Sequence, residues 1–367
     1  MYTLGINFSH HSSVALLKDN EVVFFVLEER LNRFKEWGGP LCEKDSGPFQ
    51  ALAQVKEFTS SIDLVVGISG DPRQLKACVN FLKKNKINVV SATINNNPHH
   101  LFHAASIFYS SPFRNASCLV IDGAGANTRF KPGIKASETT SVYEISYENG
   151  IRCTYKKFTI GIYDVGGIKK LSEQYPASKK IPIDVTESDI ENFNNNHNNI
   201  SDSFLQADLV ESSTHMDIGL MYHCASSRIK RALNWRGWSN DGKMMGFAAY
   251  GNKPESTEWE NFAHKTQMEL EEYFISLVGL CKQDNLLIGG GCALNILGNS
   301  AIKKHYPHIN VYPDPIAHDG TIALGAAAYH FYRRTKCKDK LVTSAYTGMD
   351  YNITKNDVYE YTRKYSI

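Results

Sequence analysis

The sequence predicts a mixed α/β protein that consists of two similar halves. The chain has 367 residues, of which 42% are hydrophobic, enough for about two domains of ~150 residues and a sizeable core. Three short β-rich runs followed by alternating helices and strands occur twice along it. A strand triplet that repeats in this way is more typical of two α/β halves than of one doubly wound sheet.

Composition excludes several classes of protein. The balance of 40 basic and 38 acidic residues gives a net charge of +2, which argues against a nucleic-acid binder driven by charge. No apolar run approaches the ~20 residues of a membrane helix, and the N-terminus lacks the pattern of a secretory signal. The eight cysteines contain no Cys-x-x-Cys pair, which is typical of reduced thiols. We therefore expect a cytoplasmic protein.

The first half is predicted to cover residues 1–115. Its strands are expected at 2–7, 14–18, 21–27, 63–68 and 87–90, and its helices at about 47–60, 71–85 and 98–108. Asp19 and Asn20 form a plausible hairpin turn because both residue types tolerate positive φ. The last helix should take Asn97 as its cap and Pro98 in its first turn.

The second half is predicted to cover residues 116–335. Its strands are expected at 117–122, 141–146, 151–158, 285–289 and 309–312, and its helices at 217–232, 257–280, 292–304 and 319–334. The polar stretch 172–214, which contains NFNNNHNN, is interpreted as a surface insertion without chemistry. Residues 336–367 are interpreted as a C-terminal tail.

Two histidines suggest a metal site. His99 and His103 lie four residues apart on a predicted helix, so both imidazoles project from one face. Asp319, in the strand-to-helix turn AHDGT, is a candidate third ligand. Two imidazoles and a carboxylate fit iron(II), and zinc less well. The alternative is that the histidines are ordinary polar residues of a helix.

Two glycine-rich turns follow predicted strands, LVIDGAGANT (119–128) and LLIGGGCALN (286–295). Small residues let backbone N–H groups approach phosphates, although neither turn is a P-loop or has the dinucleotide spacing. Each alone could be a tight strand–helix turn. Together they resemble the nucleotide cleft of the actin/hexokinase-like (ASKHA) superfamily, which lies between two α/β halves.

Three further segments carry polar groups that could meet a ligand. FSHHSSVALL places His10 and His11 at the first turn, where that superfamily positions a phosphate. EERLNRFK offers three cations for an anion, or else forms a solvated helix face: Arg30, Arg33 and Lys35. Lys243, in the otherwise apolar GKMMGFAAYG, either snorkels to water or faces an anionic ligand.

These pieces, in this order, resemble the O-carbamoyltransferases of nodulation-factor and antibiotic biosynthesis. The matching stretches are LGINFSHHSSVALLKDNEVV, LEERLNRFK, HHLFHAASIFYSSPF, LVIDGAGA, GKMMGFAAYG, GGGCALN and HDGTIALGAA. The resemblance implies an actin-like fold shared with the universal tRNA threonylcarbamoyl-transfer protein. It also implies that a carbamoyl group passes from carbamoyl-adenylate, made from carbamoyl phosphate and ATP, to a hydroxyl or amine of a small-molecule natural product or sugar.

The resemblance also implies roles for particular residues. His99, His103 and Asp319 match metal ligands that usually hold Fe2+, His10 matches a histidine at the reaction centre, and Lys35 matches a lysine near it. The positions expected to contact the adenine nucleotide are Ser12, Ser13, Asp122, Gly123, Gly125, Lys243, Gly289, Gly290, Gly291 and Asn295. In this interpretation the metal polarises the carbamoyl group or fixes the adenylate phosphate, and His10 accepts the proton of the acceptor. Lys35 would compensate negative charge.

The chain departs from the family pattern in two ways. His11 stands where the family commonly has an aspartate, which affects the positioning of the acceptor. Family members usually continue into a domain that makes carbamoyl-adenylate, whereas this chain stops near SAYTGMDYNITKNDVYEY. We therefore expect it to hold the transfer half, with a separate carbamoyl-adenylate-forming protein as partner.

Two other functions stay open at this point. A sugar or acid kinase of the same fold needs a carboxylate base and magnesium, but it has no need of the histidine pair. A non-catalytic nucleotide-binding subunit would have no reason to keep a metal triad. The sequence leaves open the acceptor and the oligomeric state, with a homodimer among the options.

Overall fold

The structure, a computed structural model, describes residues 1–35, 37–38, 47–68, 72–95, 98–161, 183–196, 206–236 and 240–343, with positions 173, 175, 179, 181 and 354. Two β-sheets with helices packed on them make up this part of the chain. None of the described helices is both long and apolar enough to cross a membrane. The seven cysteines in these ranges are free thiols, and Cys42 lies outside them.

The first sheet has five strands in the order β3-β2-β1-β4-β5. They are β1 (Tyr2–Asn7), β2 (Ser13–Lys18), β3 (Glu21–Leu27), β4 (Ser61–Ile68) and β5 (Asn88–Asn95). The β1–β2 and β2–β3 pairs are antiparallel, whereas β1–β4 and β4–β5 are parallel. The helices of this half are α1 (Glu28–Asn32), α2 (Phe49–Gln54), α3 (Pro72–Lys84) and α4 (His99–Ser110).

The second sheet has seven strands, six of them in the order β10-β9-β8-β6-β11-β12, with β7 paired to β8. They are β6 (Asn115–Ile121), β7 (Asn127–Lys131), β8 (Ile134–Ser146), β9 (Gly150–Gly161), β10 (Leu209–Ser213), β11 (Asn285–Gly289) and β12 (Asn310–Pro313). The helices of this half are α5 (Glu187–Asn196), α6 (Ile218–Ala232), α7 (Asp241–Phe247), α8 (Glu258–Leu277), α9 (Ile296–His305) and α10 (Ile322–Thr335).

The two sheets share one topology. Without β7 and β10, the second sheet has the order β9-β8-β6-β11-β12. If the five strands of each sheet are counted along the chain, both sheets have the order third, second, first, fourth, fifth. Its β6–β8 and β8–β9 pairs are antiparallel, and its β6–β11 and β11–β12 pairs are parallel. The prediction of two similar α/β halves with the actin/hexokinase-like fold is confirmed.

Helix α10 returns from the second half and packs against both α4 and β1 of the first. A Cβ atom on Gly325 would lie 1.9 Å from the carbonyl oxygen of Phe102 in α4, and one on Gly5 would lie 1.9 Å from that of Ala323 in α10. The sequence permits this approach because IALGAAA at 322–328 carries mostly small side chains. The buried faces of these elements form one core cluster with residues from both sheets.

Several sequence-based boundaries shift. The helix expected at 47–60 is α2 followed by a short 3-10 turn that ends at residue 57, and the strand expected at 87–90 extends to residue 95. Pro98 is the N-cap of α4 rather than part of its first turn, because its ψ of 50° is not helical. The predicted cap Asn97 lies outside the described residues.

The polar insertion contributes more structure than its composition indicates. Strand β10 pairs in parallel with β9 at the edge of the second sheet. On α5, the Phe193 ring contacts those of Phe130 and Phe158. The sequence around Phe193 is rich in asparagine and gives no apolar pattern, and the aromatic contacts of Phe193 form only in the folded chain. Strand β7, which the sequence did not predict, likewise forms by pairing with β8.

The described start of the tail contacts the first sheet. The Val342 N–H donates to the carbonyl oxygen of Asn20 (2.7 Å), and the Val22 N–H donates to that of Val342 (2.9 Å). Most of the tail lies outside the described residues. The division into domains at residue 115 stays a prediction.

The packing of α10 yields a testable prediction about Gly325. Helix propensity alone would make Gly325→Ala stabilising by up to ~1 kcal/mol. The structure predicts the opposite, because the new Cβ would meet the Phe102 carbonyl oxygen, so we expect the free energy of unfolding to fall by at least ~2 kcal/mol. Urea unfolding measures this. Gly246→Ala, in α7 with nothing within 4 Å of its Cβ position, is the matched control, and equal stabilities of the two variants would contradict the packing argument.

Candidate active site

The candidate site lies where elements of both halves end beside each other. The parallel strands β6 and β11 of the second sheet lead into Asp122 and Gly290 respectively. The first two turns of α4 supply His99 and His103, and a short 3-10 turn before α10 supplies Asp319. Carboxyl ends of parallel strands are where α/β folds usually bind ligands.

Four ligand-type side chains converge at this point. One side-chain donor atom from each of His99, His103, Asp122 and Asp319 lies within 4.8 Å of the others. His99 Nε2 is 3.3 Å from Asp122 Oδ2 and 3.5 Å from Asp319 Oδ1, and His103 Nε2 is 3.6 Å from each of the same two oxygens. The structure therefore brings together the three residues singled out as metal ligands and adds Asp122.

The donor set fits a divalent cation. His103 is fully buried, and neither of its ring nitrogens has a hydrogen-bond partner among the described residues. A buried polar atom without a partner is costly, and an ion held at Nε2 would satisfy one of the two. Two imidazoles with two carboxylates match the ligands that iron(II) and related cations take in proteins.

The electrostatics of the cluster keep its carboxylates ionised. Burial alone would raise the pKa of Asp122, but the His103 and His99 imidazoles that face its carboxylate lower the pKa well below its usual value. The pKa of Asp319 also falls well below its usual value, because the charge of His99 outweighs the effect of burial. Burial would lower the pKa of His99, yet the Asp319 and Asp122 carboxylates raise it well above normal. The result is a buried cluster in which two ionised carboxylates face two imidazoles whose pKa values are raised.

Asp319 uses its two carboxylate oxygens in different directions. Oδ1 faces the His99 and His103 imidazoles, whereas Oδ2 lies 3.2 Å from Nε2 of His10. The His10 side chain is 51% exposed, so it joins the buried cluster to the solvent side of the site. Asn7 holds this arrangement, since its Nδ2 donates to the backbone oxygen of Asp319 (3.1 Å).

The two glycine turns differ in what their glycines do. A Cβ on Gly123 would meet nothing within 4 Å, whereas one on Gly125 would lie 2.6 Å from the His100 ring. Gly290 has φ of +81°, and its Cβ would lie 2.5 Å from the carbonyl oxygen of Ile121. Gly125 and Gly290 are therefore required by packing, while Gly123 faces open space that a ligand could enter.

Comparison with known proteins identifies the family. A family model described as the carbamoyltransferase N-terminus matches residues 50–328, which is most of the chain. This chain belongs to that family. The resemblance read from the sequence is confirmed to this extent, and the nodulation-factor or antibiotic type stays a prediction.

Two curated relatives are longer than this carbamoyltransferase-family chain. An uncharacterized protein of Synechocystis is 25% identical over 396 residues, which cover 95% of this chain and 60% of the relative. An uncharacterized protein of Methanocaldococcus jannaschii is 24% identical over 328 residues, which cover 88% of this chain and 56% of the relative. The chain thus spans less than two thirds of the length of either.

Solved structures of HypF share the fold. T. kodakarensis HypF matches 93% of this chain with 49% of its own length, at a TM-score of 0.50 and 12% identity. Full-length HypF in the phosphate- and nucleotide-bound form matches 91% of this chain with 46% of its own, at a TM-score of 0.50 and 10% identity. At such low identity the likeness shows the fold alone.

In this member of the family, three of the polar residues expected to contact nucleotide are occupied by internal contacts. The buried hydroxyls of Ser12 and Ser13 donate to the carbonyl oxygens of Asn7 (2.8 Å) and Gly320 (2.7 Å). The Asn295 side chain accepts from the N–H of Gly298 (2.9 Å) as the cap of α9, which also explains why the helix expected from 292 begins at 296. Their contact with nucleotide stays a prediction.

The two lysines expected at the site lie on the surface of the carbamoyltransferase domain. Lys243 is exposed, and its Nζ donates to the carbonyl oxygen of Arg236 (2.5 Å). Lys35 is exposed in the turn after α1. Two residues later, the carbonyl oxygen of Trp37 accepts from the Ser12 N–H (2.9 Å), so this segment lies against the turn that carries His10.

His11 takes a position that sequence reasoning did not foresee. Its backbone is left-handed with φ of 57°, and its ring stacks on that of His318 with centroids 4.3 Å apart. Burial lowers the pKa of His11 to about 4, so the ring is neutral at pH 7. Burial also lowers the pKa of His318, so this chain presents an uncharged aromatic pair beside Asp319, where the resemblance leads us to expect an aspartate in place of His11.

Sequence reasoning also missed the double position of Asp122. The aspartate was assigned to the phosphate-side turn, yet Oδ2 faces His99 and Oδ1 accepts from the N–H of Gly123 (2.7 Å). The available signal was its place directly after a buried strand. Only the packing of α4 against β6 brings it to the histidines.

Proposed function

We propose that this chain transfers a carbamoyl group from carbamoyl-adenylate to a hydroxyl or amine of a small-molecule natural product or sugar. Membership of the carbamoyltransferase N-terminal family supports this function over a kinase or a scaffold. The observation that carries the proposal is the shared carboxylate of Asp319, with the imidazole pair on one side and His10 on the other. It joins a candidate cation site to a candidate proton acceptor.

The proposed metal ligands are His99, His103 and Asp319, with Asp122 as a fourth, and iron(II) is the favoured ion. When bound, the ion would supply Lewis-acid polarisation and a template for the reacting groups. The ionised Asp122 and Asp319 carboxylates would attract and neutralise it. Neighbouring groups fix both: the Gly123 N–H donates to the Asp122 carboxylate, and the Asn7 side-chain amide donates to the backbone oxygen of Asp319.

His10 is the proposed general base. With its Nε2–H donating to Asp319 Oδ2, Nδ1 keeps a lone pair for the proton of the acceptor. The acceptor oxygen or nitrogen then forms a bond to the carbamoyl carbon, the bond from that carbon to the phosphate oxygen breaks, and AMP leaves. A base in this position contributes ~10²–10⁴-fold to the rate. Lys35 is proposed to balance negative charge on the phosphate.

The adenylate is proposed to lie against the turns at 122–125 and 289–291. The open space before Gly123 supports this location, as does the start of α6, where a Cβ on Gly219 would lie 2.4 Å from the Asp122 carbonyl oxygen. Helix N-termini favour phosphate. The resemblance assigns formation of carbamoyl-adenylate to another domain, so we propose that a separate protein or domain supplies it.

The metal proposal predicts that His103→Ala abolishes stoichiometric metal. Apo-protein would be reconstituted anaerobically with Fe2+ and its metal content measured by elemental analysis. We expect about one ion per wild-type chain, and none in the variant, because two imidazoles anchor the proposed site. His215→Ala, which removes an exposed histidine, should retain the ion. Full occupancy in a folded His103→Ala protein would refute the ligand assignment.

The nucleotide proposal predicts that Gly123→Val weakens binding of AMP by ~10-fold or more, equivalent to ~1.4 kcal/mol. The added Cβ would have no protein atom within 4 Å, so we expect the free energy of unfolding to change by no more than ~0.5 kcal/mol. Calorimetry measures the affinity. Gly279→Val, also open around its Cβ, is the control. Gly290 is not a suitable position for this test, because any side chain there would distort the turn. Unchanged AMP affinity in Gly123→Val would exclude binding of the adenylate at the 122–125 turn.

The transfer proposal predicts that His10→Asn slows carbamoylation by ~10²–10⁴-fold while metal content and AMP affinity stay unchanged. Carbamoyl phosphate, ATP and a purified carbamoyl-adenylate-forming protein would be supplied with a panel of hydroxyl- and amine-bearing sugars, and carbamoylated products detected by mass spectrometry. His308→Asn, an exposed histidine, is the control.

A wild-type rate in His10→Asn would show that another group accepts the proton.

The proposal that a separate protein or domain makes carbamoyl-adenylate is tested by omitting the partner protein. ATP-dependent release of pyrophosphate should then be absent, and robust release by this chain alone would overturn it.

A further inference from the structure

A buried polar chain lies directly behind the candidate metal cluster. His100, between the two candidate ligands on α4, is fully buried, and its Nδ1 lies 2.9 Å from Ser141 Oγ on β8. Ser141 Oγ in turn donates to Oε1 of Glu138 (2.5 Å). The same oxygen accepts from Nζ of the buried Lys156 (2.5 Å). None of these residues belongs to the proposed reaction.

The hydrogen bonds fix the tautomer of His100. The Ser141 hydroxyl gives its proton to the Glu138 carboxylate, so its oxygen must accept from His100, and the imidazole carries its proton on Nδ1. The other ring nitrogen, Nε2, is buried and has no hydrogen-bond partner among the described residues. This edge of the ring faces the glycine turn, since a Cβ on Gly125 would lie 2.6 Å from Nε2 and from Cδ2.

The same strand holds the turn through its backbone. The Asp122 N–H donates to the carbonyl oxygen of Thr139 (2.9 Å), and the Gly125 N–H donates to that of Glu138 (2.6 Å). The Glu138 N–H donates to the carbonyl oxygen of Ala126 (2.8 Å). Glu138 therefore contacts the turn with its main chain and, through Ser141, anchors the His100 ring with its side chain.

This arrangement makes the imidazole a spacer between α4 and the turn. His100 stands between His99 and His103 along α4, and its ring packs at Gly125 against the turn that begins with Asp122, the residue that completes the cluster with these histidines. A buried Glu–Lys ion pair contributes little net stability because both charges lose their hydration. The Glu138–Lys156 ion pair has a reason to be buried here if it holds the His100 ring in one orientation through Ser141.

We propose that His100 is a positioning residue that sets the distance between the two ligand imidazoles on α4 and the Asp122 carboxylate. The inference rests on the proposed metal site. It assigns a task to Glu138, Ser141 and Lys156 as well, which is to hold the His100 ring. Residues that orient metal ligands without touching the metal typically change its affinity by ~10–100-fold when mutated.

The test is titration of the apo-protein with Co2+, followed by visible absorption. His100→Leu removes the Nδ1 donor, and we expect Co2+ to bind ~10–100-fold more weakly with shifted absorption bands. Ser141→Ala removes the acceptor from the other side and should change affinity and spectrum in the same direction. His100→Asn keeps a donor near the position of Nδ1 and should recover most of the loss. His330→Leu, a partly buried histidine on α10, is the matched control.

Each outcome decides a different point. Weaker binding and a shifted spectrum in His100→Leu and Ser141→Ala, with rescue by His100→Asn and no change in His330→Leu, supports the inference. Unchanged Co2+ binding in the first two variants overturns it while leaving the metal site intact. Equal losses in His100→Leu and His330→Leu, or no rescue, mean general destabilisation and also overturn it. If His100→Leu does not fold, Ser141→Ala alone decides. Failure of the wild-type protein to bind Co2+ refutes the proposed metal site itself.

Discussion

The close packing of α10 between α4 and β1 is the contact on which the rest of the molecule depends. At Gly325 and Gly5 the backbones approach so closely that a single Cβ atom would collide with a carbonyl oxygen. This contact joins an element of the second half to two elements of the first. It also fixes the turn before α10, and with it Asp319, against the first turn of α4. A larger separation would leave His99 and His103 without their facing carboxylate.

The duplicated topology explains why the cluster is buried and still reachable. Each half ends its parallel strands toward the same region, so polar turns from both meet there, while the interior of each half stays apolar. Asp319 is almost fully buried, whereas His10 beside it is half exposed. A single carboxylate therefore spans the boundary between the interior and solvent. That position suits a group that orients a proton acceptor as well as a cation.

Charge and burial act against each other throughout this region. Burial disfavours ionised carboxylates and imidazolium ions alike, yet the mutual proximity of Asp122, Asp319, His99 and His103 holds the acids ionised and raises the pKa of the imidazoles. A folded protein keeps such a cluster only when rigid surroundings hold it together. The glycine turn, the β8 backbone and the His100 ring provide those surroundings. The polar residues that hold this ring, Glu138, Ser141 and Lys156, are themselves fully buried for that reason.

The sequence by itself determined the strand triplets, the central helices and the spacing of His99 and His103, because these depend on local periodicity. It also placed the glycine turns directly after buried strands. The tertiary structure alone decided which residues meet across the chain. Asp122 joins the histidines because α4 packs against β6. The asparagine-rich insertion yields α5 and β10 because Phe193 of α5 contacts distant aromatic rings and β10 pairs with β9. The side chains of Ser12, Ser13 and Asn295 form hydrogen bonds with other parts of the protein. The stacking of His11 on His318 joins two segments that are about three hundred residues apart in sequence. No local pattern records such partners, since they are chosen by the packing of elements that are distant in sequence.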